Sequence, residues 1–382
     1  MTKKLRYAMI GGGPGAFIGA VHRIAARMDN LYDLVAGCFS SSMEKSTETG
    51  NELGIASNRI YANYQELITK ENALPEQERV QVICIVTPNH LHFAPAKMAL
   101  ENGFHVILDK PITLTLAEAK ELKILKEKSG KELLLTHTYT GYPMVKEAKQ
   151  QLLSGKLGEI RKVYVEYPQG WLSNAVESKQ ADWRTDPSKS GIAGAMGDIG
   201  THAFNLVEYV TSLQVEKICA DINTVVPHRR LDDDGAVLLK FNNGASGVLM
   251  ASQVAAGEEN KVKIRVYGES GGLEWHQEDA NSLVLKYLDQ PAQILRTGSG
   301  YLSSFATHNT RVPAGHPEGY LEAFANLYRN FALTVLAKEN GEQVAVECLD
   351  YPGVEEGIRG MAFIETVISS GKSDQKWIKM EI

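Results

Sequence analysis

The sequence predicts an α/β protein in which a domain with a parallel sheet precedes an α+β domain with a large, open and mainly antiparallel sheet. Up to about residue 140, apolar strand segments alternate with helical segments of roughly 10–15 residues, the pattern of successive right-handed βαβ units. From residue 160 onward, longer strand segments follow one another with hairpin signals. We therefore expect two domains, at residues 1–140 and 141–382.

The first half contains the elements of a buried parallel sheet. Residues 80–88 form a nearly continuous β-branched run, as in a strand that is buried on both faces. The expected strands are residues 5–10, 34–39, 80–88, 104–108 and 133–136. The expected helices are residues 16–28, 42–53, 64–70, 91–102 and 116–129. Gly103 and Gly130 follow two of these helices, which is typical of helix ends.

The second half has the pattern of an antiparallel sheet. The expected strands are residues 161–167, 215–226, 236–241, 245–254, 261–267, 272–276 and 283–288. Asn243-Gly244 stands between two of them and is a strong hairpin signal. Helices are expected from Asp198 onward and at residues 317–336 and 353–370, with a long irregular loop at 290–315. Because such a sheet must cover its open apolar face, we predict a homodimer or homotetramer formed through it.

Composition argues against several classes of function. The formal net charge is -6 and no long basic run occurs, which disfavours binding to nucleic acid or to an anionic membrane surface. No segment approaches the length of a membrane span or the apolar core of a signal peptide. The cysteines are far apart and form no CxxC pair, so we expect no metal site and a reducing, cytoplasmic location.

A glycine-rich turn follows the first expected strand. Gly11, Gly13 and Ala16 fit the pattern G-x-G-x-x-G/A, in which the glycines allow a tight turn and a close approach of backbone to pyrophosphate. Pro14 and Gly15 complete the turn, and Pro14 suits the first turn of the following helix. A merely flexible turn is the alternative. The alternating strands behind it favour a dinucleotide-binding Rossmann domain, with phosphates at the helix N-terminus.

The end of the second expected strand bears on the identity of the dinucleotide. NAD-binding folds usually place an acidic residue there to hold the ribose 2′-hydroxyl. This sequence instead has Ser40, Ser41 and Ser42, followed by Lys45, which suit a 2′-phosphate. The alternative is that Ser42 is only a helix N-cap. The cofactor is therefore expected to be NAD or NADP, with NADP favoured.

Polar residues follow three strands at their carboxyl ends, where open α/β sheets bind their ligands. They lie at residues 87–92 (TPNHLH), 109–111 (DKP) and 136–143 (THTYTGYP). Lys110 leaves a buried strand, and desolvation beside a nicotinamide would let it exchange a proton with a hydroxyl. A solvated loop lysine is the alternative.

Asp198 and His202 are four residues apart in a segment with helical periodicity. Both side chains are therefore expected on one face of a helix, where the carboxylate can orient the imidazole. A surface pair or a satisfied core histidine is the alternative. Small residues, among them Gly191, Gly194 and Gly197, crowd the start of this helix and suggest that a substrate or the nicotinamide approaches the backbone.

Together these motifs resemble the glucose–fructose oxidoreductase / inositol dehydrogenase / MocA (Gfo/Idh/MocA) family over essentially the whole chain. The resemblance rests on the glycine turn, TPNHLH, DKP and GDIGTHAFNL, in the same order and spacing. EYPQGWL, WRTDP and GHPEGYLEAFANLY resemble a sugar-oxidising branch. The resemblance implies an NAD(P)-dependent oxidoreductase acting on a secondary hydroxyl or ketone of a pyranose sugar, glycoside or cyclitol. An NAD-dependent glycoside hydrolase and a non-catalytic sugar sensor of the same superfamily are the alternatives.

The resemblance also implies roles for single residues. Lys110 would hold the substrate hydroxyl and relay its proton, His202 would be the base in oxidation, and Asp198 would orient it or bind substrate. The implied cofactor contacts are Gly11, Gly13, Pro14, Gly15, Ala16, Ser40, Ser41, Ser42, Lys45, Thr87, Pro88, Asn89, His92, Asp109 and Lys110. The implied substrate contacts are Lys110, Tyr142, Trp171, Arg184, Asp198, His202 and His316. Asp109 stands where the family usually has Glu, and the serine-rich strand end resembles that of NADPH-using members.

Overall fold

The computed structural model describes residues 4–176 and 178–382, and the chain forms two compact units. The first unit comprises the chain up to Thr136 together with Phe324–Ile358, and the second comprises His137–Ala323 and Arg359–Ile382. This division differs from the single boundary expected at residue 140, because the chain returns to the first unit. No helix among the described residues is both long and apolar enough to cross a lipid bilayer.

The first unit contains a five-stranded parallel sheet with the order β2-β1-β3-β4-β5, as predicted. Its strands are β1 (Leu5–Gly11), β2 (Tyr32–Cys38), β3 (Val82–Val86), β4 (His105–Leu108) and β5 (Leu133–Leu135). Its helices include α1 (Phe17–Met28), α2 (Met43–Glu52), α3 (Tyr64–Asn72), α4 (Phe93–Glu101) and α5 (Leu116–Ser129). Every residue of β3, β4 and β5 is buried, which explains their continuous apolar sequences.

The second unit contains a nine-stranded sheet with the order β13-β12-β11-β10-β6-β9-β8-β7-β14. Its strands are β6 (Ile160–Pro168), β7 (Val215–Asn223), β8 (Asp234–Phe241), β9 (Ser246–Ser252), β10 (Lys263–Gly268), β11 (Gly271–His276), β12 (Ser282–Tyr287), β13 (Gln293–Arg296) and β14 (Ile378–Lys379). Neighbouring strands are antiparallel apart from the parallel pair β6 and β9. The predicted hairpin at Asn243-Gly244 joins β8 to β9.

The further helices of the chain follow the first five in order. They are α6 (Pro143–Leu153), α7 (Lys179–Arg184), α8 (Pro187–Ser190), α9 (Thr201–Thr211), α10 (Ser304–His308), α11 (Tyr320–Glu339) and α12 (Val354–Gly371). Helix α6 was not predicted, because it buries Lys146 and Glu147 and its apolar periodicity is therefore masked. The stretch expected to be an irregular loop contains β13 and α10; β13 is short and mostly exposed, so it has no apolar alternation.

The sheet of the second unit has one face packed and one face open. Along β8, buried and exposed residues alternate, and the exposed members include Leu238, which is 44% exposed. Leu238 pairs with Val248 on β9, which in turn pairs with Tyr164 on β6, so these side chains form a row across the open face. Met250 lies on the same face of β9 and is 50% exposed. The predicted one-sided sheet is thus present.

Most of α11 belongs to the first unit, and Tyr328 on this helix makes several of its contacts there. The Tyr328 hydroxyl lies 2.6 Å from Nδ1 of His22 on α1 and 3.2 Å from Sγ of Cys84 on β3. The hydroxyl of Tyr32 on β2 donates to the Tyr328 carbonyl over 2.8 Å. All four side chains are buried. Sequence periodicity shows which face of α11 is apolar but not which sheet that face covers, so the return could not be predicted.

We predict that His22 makes the stability of the first unit sensitive to acid. Burial lowers the pKa of His22 from 6.5 to about 4, and its Nε2 has no hydrogen-bond partner among the described residues. The unfolded chain therefore binds more protons between these two values. The free energy of unfolding should fall by about 3 kcal/mol as the pH is lowered through this window. Denaturant titrations at several pH values measure this slope.

Replacement of His22 by Asn tests the assignment. His22→Asn should flatten the slope but not abolish it, because burial also lowers the pKa of His105 to about 4. The exposed His228 provides a matched control, and His228→Asn should keep the full slope. A His22→Asn protein with the wild-type slope would show that His22 does not govern the effect.

Candidate active site

Strand β1 runs into a glycine turn with a backbone that other residues rarely adopt. The φ angles are +90° at Gly11, +77° at Gly12 and +73° at Gly15. A Cβ at Gly13 would lie 2.6 Å from the carbonyl oxygen of Phe39, so no side chain fits there. The Gly13 N–H donates to that same carbonyl over 3.0 Å and ties the turn to the end of β2. Apart from Pro14, the turn consists of glycines, and such a turn lets a phosphate approach the backbone.

The turn differs from the sequence prediction in two details. Helix α1 begins at Phe17 with Ala16 as its N-cap, so Pro14 precedes the helix and does not occupy its first turn. Gly19 performs the close packing expected of Ala16, because a Cβ at Gly19 would lie 2.4 Å from Cα of Gly12. The motif predicted that the helix packs closely at Ala16, whereas the close approach occurs about one turn later, between Gly19 and Gly12.

The serines that follow β2 take part in local turns. Ser40 Oγ accepts a hydrogen bond from the N–H of Ser42 over 3.2 Å. Ser42 is the N-cap of α2, and its Oγ accepts from the N–H of Lys45 over 3.4 Å. Ser46, which the sequence analysis did not single out, accepts from the backbone at the end of β2. Ser41 and the Lys45 side chain are exposed, so a preference for a 2′-phosphate would depend on Lys45 more than on Ser42.

The loops after β3 and β4 are joined by the buried ring of His92. Its Nδ1 lies 2.7 Å from the carbonyl oxygen of Pro111, and its Nε2 lies 2.9 Å from that of Thr87. Burial lowers the pKa of His92, and a neutral ring there donates to one of the two carbonyls at a time. Pro88 and the buried Asn89 follow in the same loop. His92 therefore braces two loops from the inside.

Lys110 follows β4 at the carboxyl edge of the parallel sheet. The Lys110 N–H donates to Oδ1 of Asp109 over 2.9 Å, and the same oxygen accepts from the Thr136 hydroxyl over 3.0 Å. The Lys110–Pro111 peptide bond is cis, and Lys110 is half-buried. The Asp109 carboxylate thus connects the backbone after β4 with the side chain of Thr136, the residue that follows β5.

In the second unit, Asp198 lies on a π-helical turn, Met196–Gly200, that leads into α9. Its Oδ2 accepts from Nε of Arg184 over 3.1 Å and from Nε2 of Gln253 over 2.9 Å. The sequence predicted regular α spacing here. Short π-helical segments are frequent at functional sites, and residue spacing does not reveal them. Gln253, which follows β9, had no motif to mark it.

The start of the π-helical turn is held by Asp232, which the sequence analysis missed. Asp232 accepts from the N–H of Gly194 through Oδ1 over 2.6 Å and from the N–H of Met196 through Oδ2 over 2.7 Å. Its carbonyl accepts from Ala195 over 2.8 Å. A Cβ at Gly194 would lie 2.0 Å from that carbonyl oxygen. At Gly194, therefore, the close neighbour is the protein itself and not the substrate that we expected.

His202 is a buried residue of α9 surrounded by aromatic rings. Its Nδ1 lies 3.4 Å from Nδ1 of His137, and its ring centroid lies 5.1 Å from that of Tyr139 and 6.3 Å from that of Tyr167. The two tyrosine hydroxyls are 2.6 Å apart, and both are hydrogen-bonded to Asn260. Burial raises the pKa of both tyrosines, so they are neutral phenols. The His202 imidazole is thus packed against two tyrosine rings whose hydroxyls are held by hydrogen bonds.

Two of the predicted substrate residues lie near Asp198. The Arg184 guanidinium, paired with Asp198, stacks 4.2 Å from the ring centroid of Trp183 and 5.9 Å from that of Trp171. Trp171 is 37% exposed, and its Nε1 donates to Oε1 of Gln169 over 3.0 Å. These contacts connect Trp171, Arg184 and Asp198 in one polar and aromatic group.

The other two predicted substrate residues have different surroundings. Tyr142 is buried, and its ring centroid lies 5.2 Å from that of Trp275, so its contacts are those of a packing residue. His316 is exposed in the loop before α11, with Nδ1 3.1 Å from the Pro313 carbonyl oxygen. No group of three or more His, Cys, Asp and Glu side chains in residues 4–176 and 178–382 could hold a metal ion.

Both units match known proteins in sequence. Residues 5–137 match the oxidoreductase family with an NAD-binding Rossmann fold, and residues 145–274 match the GFO/IDH/MocA C-terminal domain. The chain is 33% identical to the uncharacterized oxidoreductase YfiI of Bacillus subtilis, over 100% of this chain and 98% of the relative. It is 25% identical to levoglucosan dehydrogenase of Pseudarthrobacter phenanthrenivorans, over 76% of this chain and 78% of the relative.

Solved structures extend the similarity to the fold. An inositol dehydrogenase homologue of Azotobacter vinelandii complexed with NAD+ matches with a TM-score of 0.95 at 34% identity, covering 99% of this chain and 98% of that one. A complex of the homologue with NADH and myo-inositol matches with a TM-score of 0.92 at 33% identity, with the same coverage. The chain therefore belongs to the GFO/IDH/MocA family of NAD-binding oxidoreductases.

Proposed function

We propose that this oxidoreductase interconverts a secondary hydroxyl and the matching ketone of a pyranose sugar, glycoside or cyclitol. The observation that carries the proposal is the buried His202 imidazole, which packs against His137 and Tyr139. The same segment of the chain bears Asp198, which forms an ion pair with Arg184. Imidazole and carboxylate groups of this kind bind and deprotonate hydroxyls. A levoglucosan dehydrogenase and a homologue solved with myo-inositol are among the similar proteins, which supports a polyhydroxylated ring as substrate.

The first unit fits a nicotinamide dinucleotide. The turn at residues 11–15 is glycine apart from Pro14, which favours close approach of a pyrophosphate to the backbone, and the N-terminus of α1 follows it. Ser40 and Lys45 after β2 would contact the adenosine ribose. Thr87, Pro88, Asn89, Asp109 and Lys110 follow neighbouring parallel strands and would contact the remainder of the dinucleotide. When bound there, a nicotinamide would supply hydride-transfer chemistry, as the acceptor in oxidation of the alcohol and as the donor in reduction of the ketone.

His202 and Lys110 are proposed to manage the proton. In oxidation His202 takes the proton from the hydroxyl oxygen while the C–H electron pair leaves with the hydride and the C=O bond forms; in reduction it returns the proton. Lys110 donates a hydrogen bond to the same oxygen and stabilises the negative charge that develops there. Asp198, held by Arg184 and Gln253, accepts a hydrogen bond from a neighbouring hydroxyl. Trp171 offers an apolar face to the ring.

An absorbance assay tests the reaction itself. Purified protein is titrated with NADH and NADPH, and the oxidised form of the dinucleotide that binds is then mixed with pyranoses, glycosides and inositols. Growth of the reduced-nicotinamide absorbance with one of these classes supports the proposal. Binding of the dinucleotide without any absorbance change would contradict it. Release of an aglycone would then indicate the hydrolase, and its absence the sensor.

Removal of either proposed proton-transfer group should reduce turnover without preventing dinucleotide binding. Lys110→Ala and His202→Ala should each lower kcat by about 10²–10⁴-fold, the effect of losing a general acid–base group. Steady-state kinetics measure kcat, and fluorescence titration measures the dinucleotide Kd. Matched controls are Lys128→Ala and His228→Asn at exposed positions. If Lys110→Ala or His202→Ala keeps a near-normal kcat, the replaced residue does not have the proton-transfer role proposed for it.

The preference for NADP is a separate proposal, and it rests on Lys45. Because Lys45 is exposed beside the serine-rich end of β2, its ammonium group would pair with a 2′-phosphate. Lys45→Ala should weaken NADPH binding about 10-fold or more, as for a lost charge-assisted contact, and leave NADH binding nearly unchanged. Equal losses for both dinucleotides in parallel titrations would contradict the preference. Lys128→Ala is again the control.

The open sheet face is proposed to join two or four copies of the chain. Leu238, Met250 and Tyr164 line this face, and apolar residues in a row across a sheet favour burial against another surface. Leu238→Glu should therefore lower the mass measured by light scattering. Leu288→Glu, at a position 85% exposed after β12, is the matched control and should leave the mass unchanged. An unaltered mass in Leu238→Glu would place any contact elsewhere.

A further inference from the structure

A second histidine contacts Nδ1 of His202. Nδ1 of His137 lies 3.4 Å from Nδ1 of His202, and the two rings are nearly perpendicular, at 87°. Both residues are buried, with exposed fractions of 1% for His137 and 9% for His202. His137 lies two residues after the end of β5.

A contact between two Nδ1 atoms restricts the protonation of both rings. One nitrogen must donate and the other must accept, so the two rings share a single Nδ1 proton. If that proton is on His137, a neutral His202 carries its own proton on Nε2 and cannot take another there as a base. If the proton is on His202, the Nε2 of a neutral His202 has a lone pair and can accept a proton from a hydroxyl.

We propose that His137 is a positioning residue that accepts a hydrogen bond from the Nδ1–H of His202 and thereby keeps His202 in the tautomer needed for proton transfer. The proposal rests on the proposed function, in which His202 is the base. The hydroxyl proton then moves from oxygen to Nε2 while the Nδ1 proton stays in place. His137 accepts the same hydrogen bond before and after the transfer, with its own proton on Nε2.

The surroundings hold both rings in this relation. The His137 carbonyl accepts from the N–H of Thr140 over 3.2 Å and from its hydroxyl over 2.9 Å, which fixes the backbone after β5. A Cβ at Gly141 would lie 2.0 Å from the Ala323 carbonyl oxygen, so this turn packs tightly. The Tyr139 ring meets His202 edge to face at 86°. The backbone that carries His137 is therefore fixed, and one side of the His202 ring is packed against Tyr139.

Paired substitutions separate tautomer control from packing. His137→Asn places an amide near the position of Nδ1 and can still accept, whereas His137→Phe keeps a ring and removes the acceptor. In the full-length enzyme with saturating dinucleotide, His137→Phe should lower kcat by about 10²-fold, with KM and dinucleotide Kd within about 3-fold. His137→Asn should recover most of kcat. Equal kcat for wild type and His137→Phe, or equal losses in both variants, would overturn the proposal.

A spectroscopic measurement tests the tautomer without any substrate. Long-range 1H–15N correlation of imidazole-labelled protein distinguishes Nδ1–H from Nε2–H, and His202→Asn and His137→Asn identify the two signals. We expect Nδ1–H on His202 and Nε2–H on His137 in the wild type. The reverse assignment would overturn the proposal even if His137→Phe does not fold. If no sugar or cyclitol is oxidised, the proposed function fails while this measurement still decides the tautomer.

Discussion

The arrangement of the second unit's site depends on the carboxylate of Asp232. The first N–H groups of a helix have no partner inside the helix, and buried N–H groups must be paired. Asp232 pairs with the N–H of Met196, the first residue of the π-helical turn, and with the N–H of Gly194, two residues earlier. These bonds offset the cost of burying the carboxylate, a cost visible in its raised pKa. They determine where the turn begins, and hence where Asp198 meets Arg184 and where His202 enters its aromatic surroundings.

The two units use different chemistry to prepare their sites. In the first unit the site is formed mainly by backbone groups. The glycines leave backbone N–H groups accessible, and His92 connects two loops through their carbonyl oxygens. In the second unit side chains form it: Tyr139, Tyr167 and Asn260 bond to one another and form walls around His202. A backbone cradle suits a phosphate that every dinucleotide carries, whereas side-chain walls can be changed to suit a particular substrate.

The parts predictable from sequence are those encoded locally. The ends of β1 and β4 could be located from apolar runs, and so Gly11, Gly13 and Lys110 could be placed at the carboxyl edge of the sheet. The relation of His137 to His202 depends on residues 65 positions apart, for which periodicity has no signal. At Gly194 the sequence correctly indicated that a group lies close to the backbone, but it did not indicate that this group is the Asp232 carbonyl. A cluster of small residues indicates a close approach to the backbone, but it does not identify the group that approaches.

The return of α11 to the first unit has a consequence for modular engineering of this chain. A fragment cut after residue 140 would lack Tyr328, and the buried polar atoms of His22, Tyr32 and Cys84 would lose a shared partner and face solvent. The dinucleotide unit is thus discontinuous in the gene although it is continuous in space. Exchange of this unit between relatives requires two grafted segments, and recombination at the midpoint of the gene would join incompatible halves of one core.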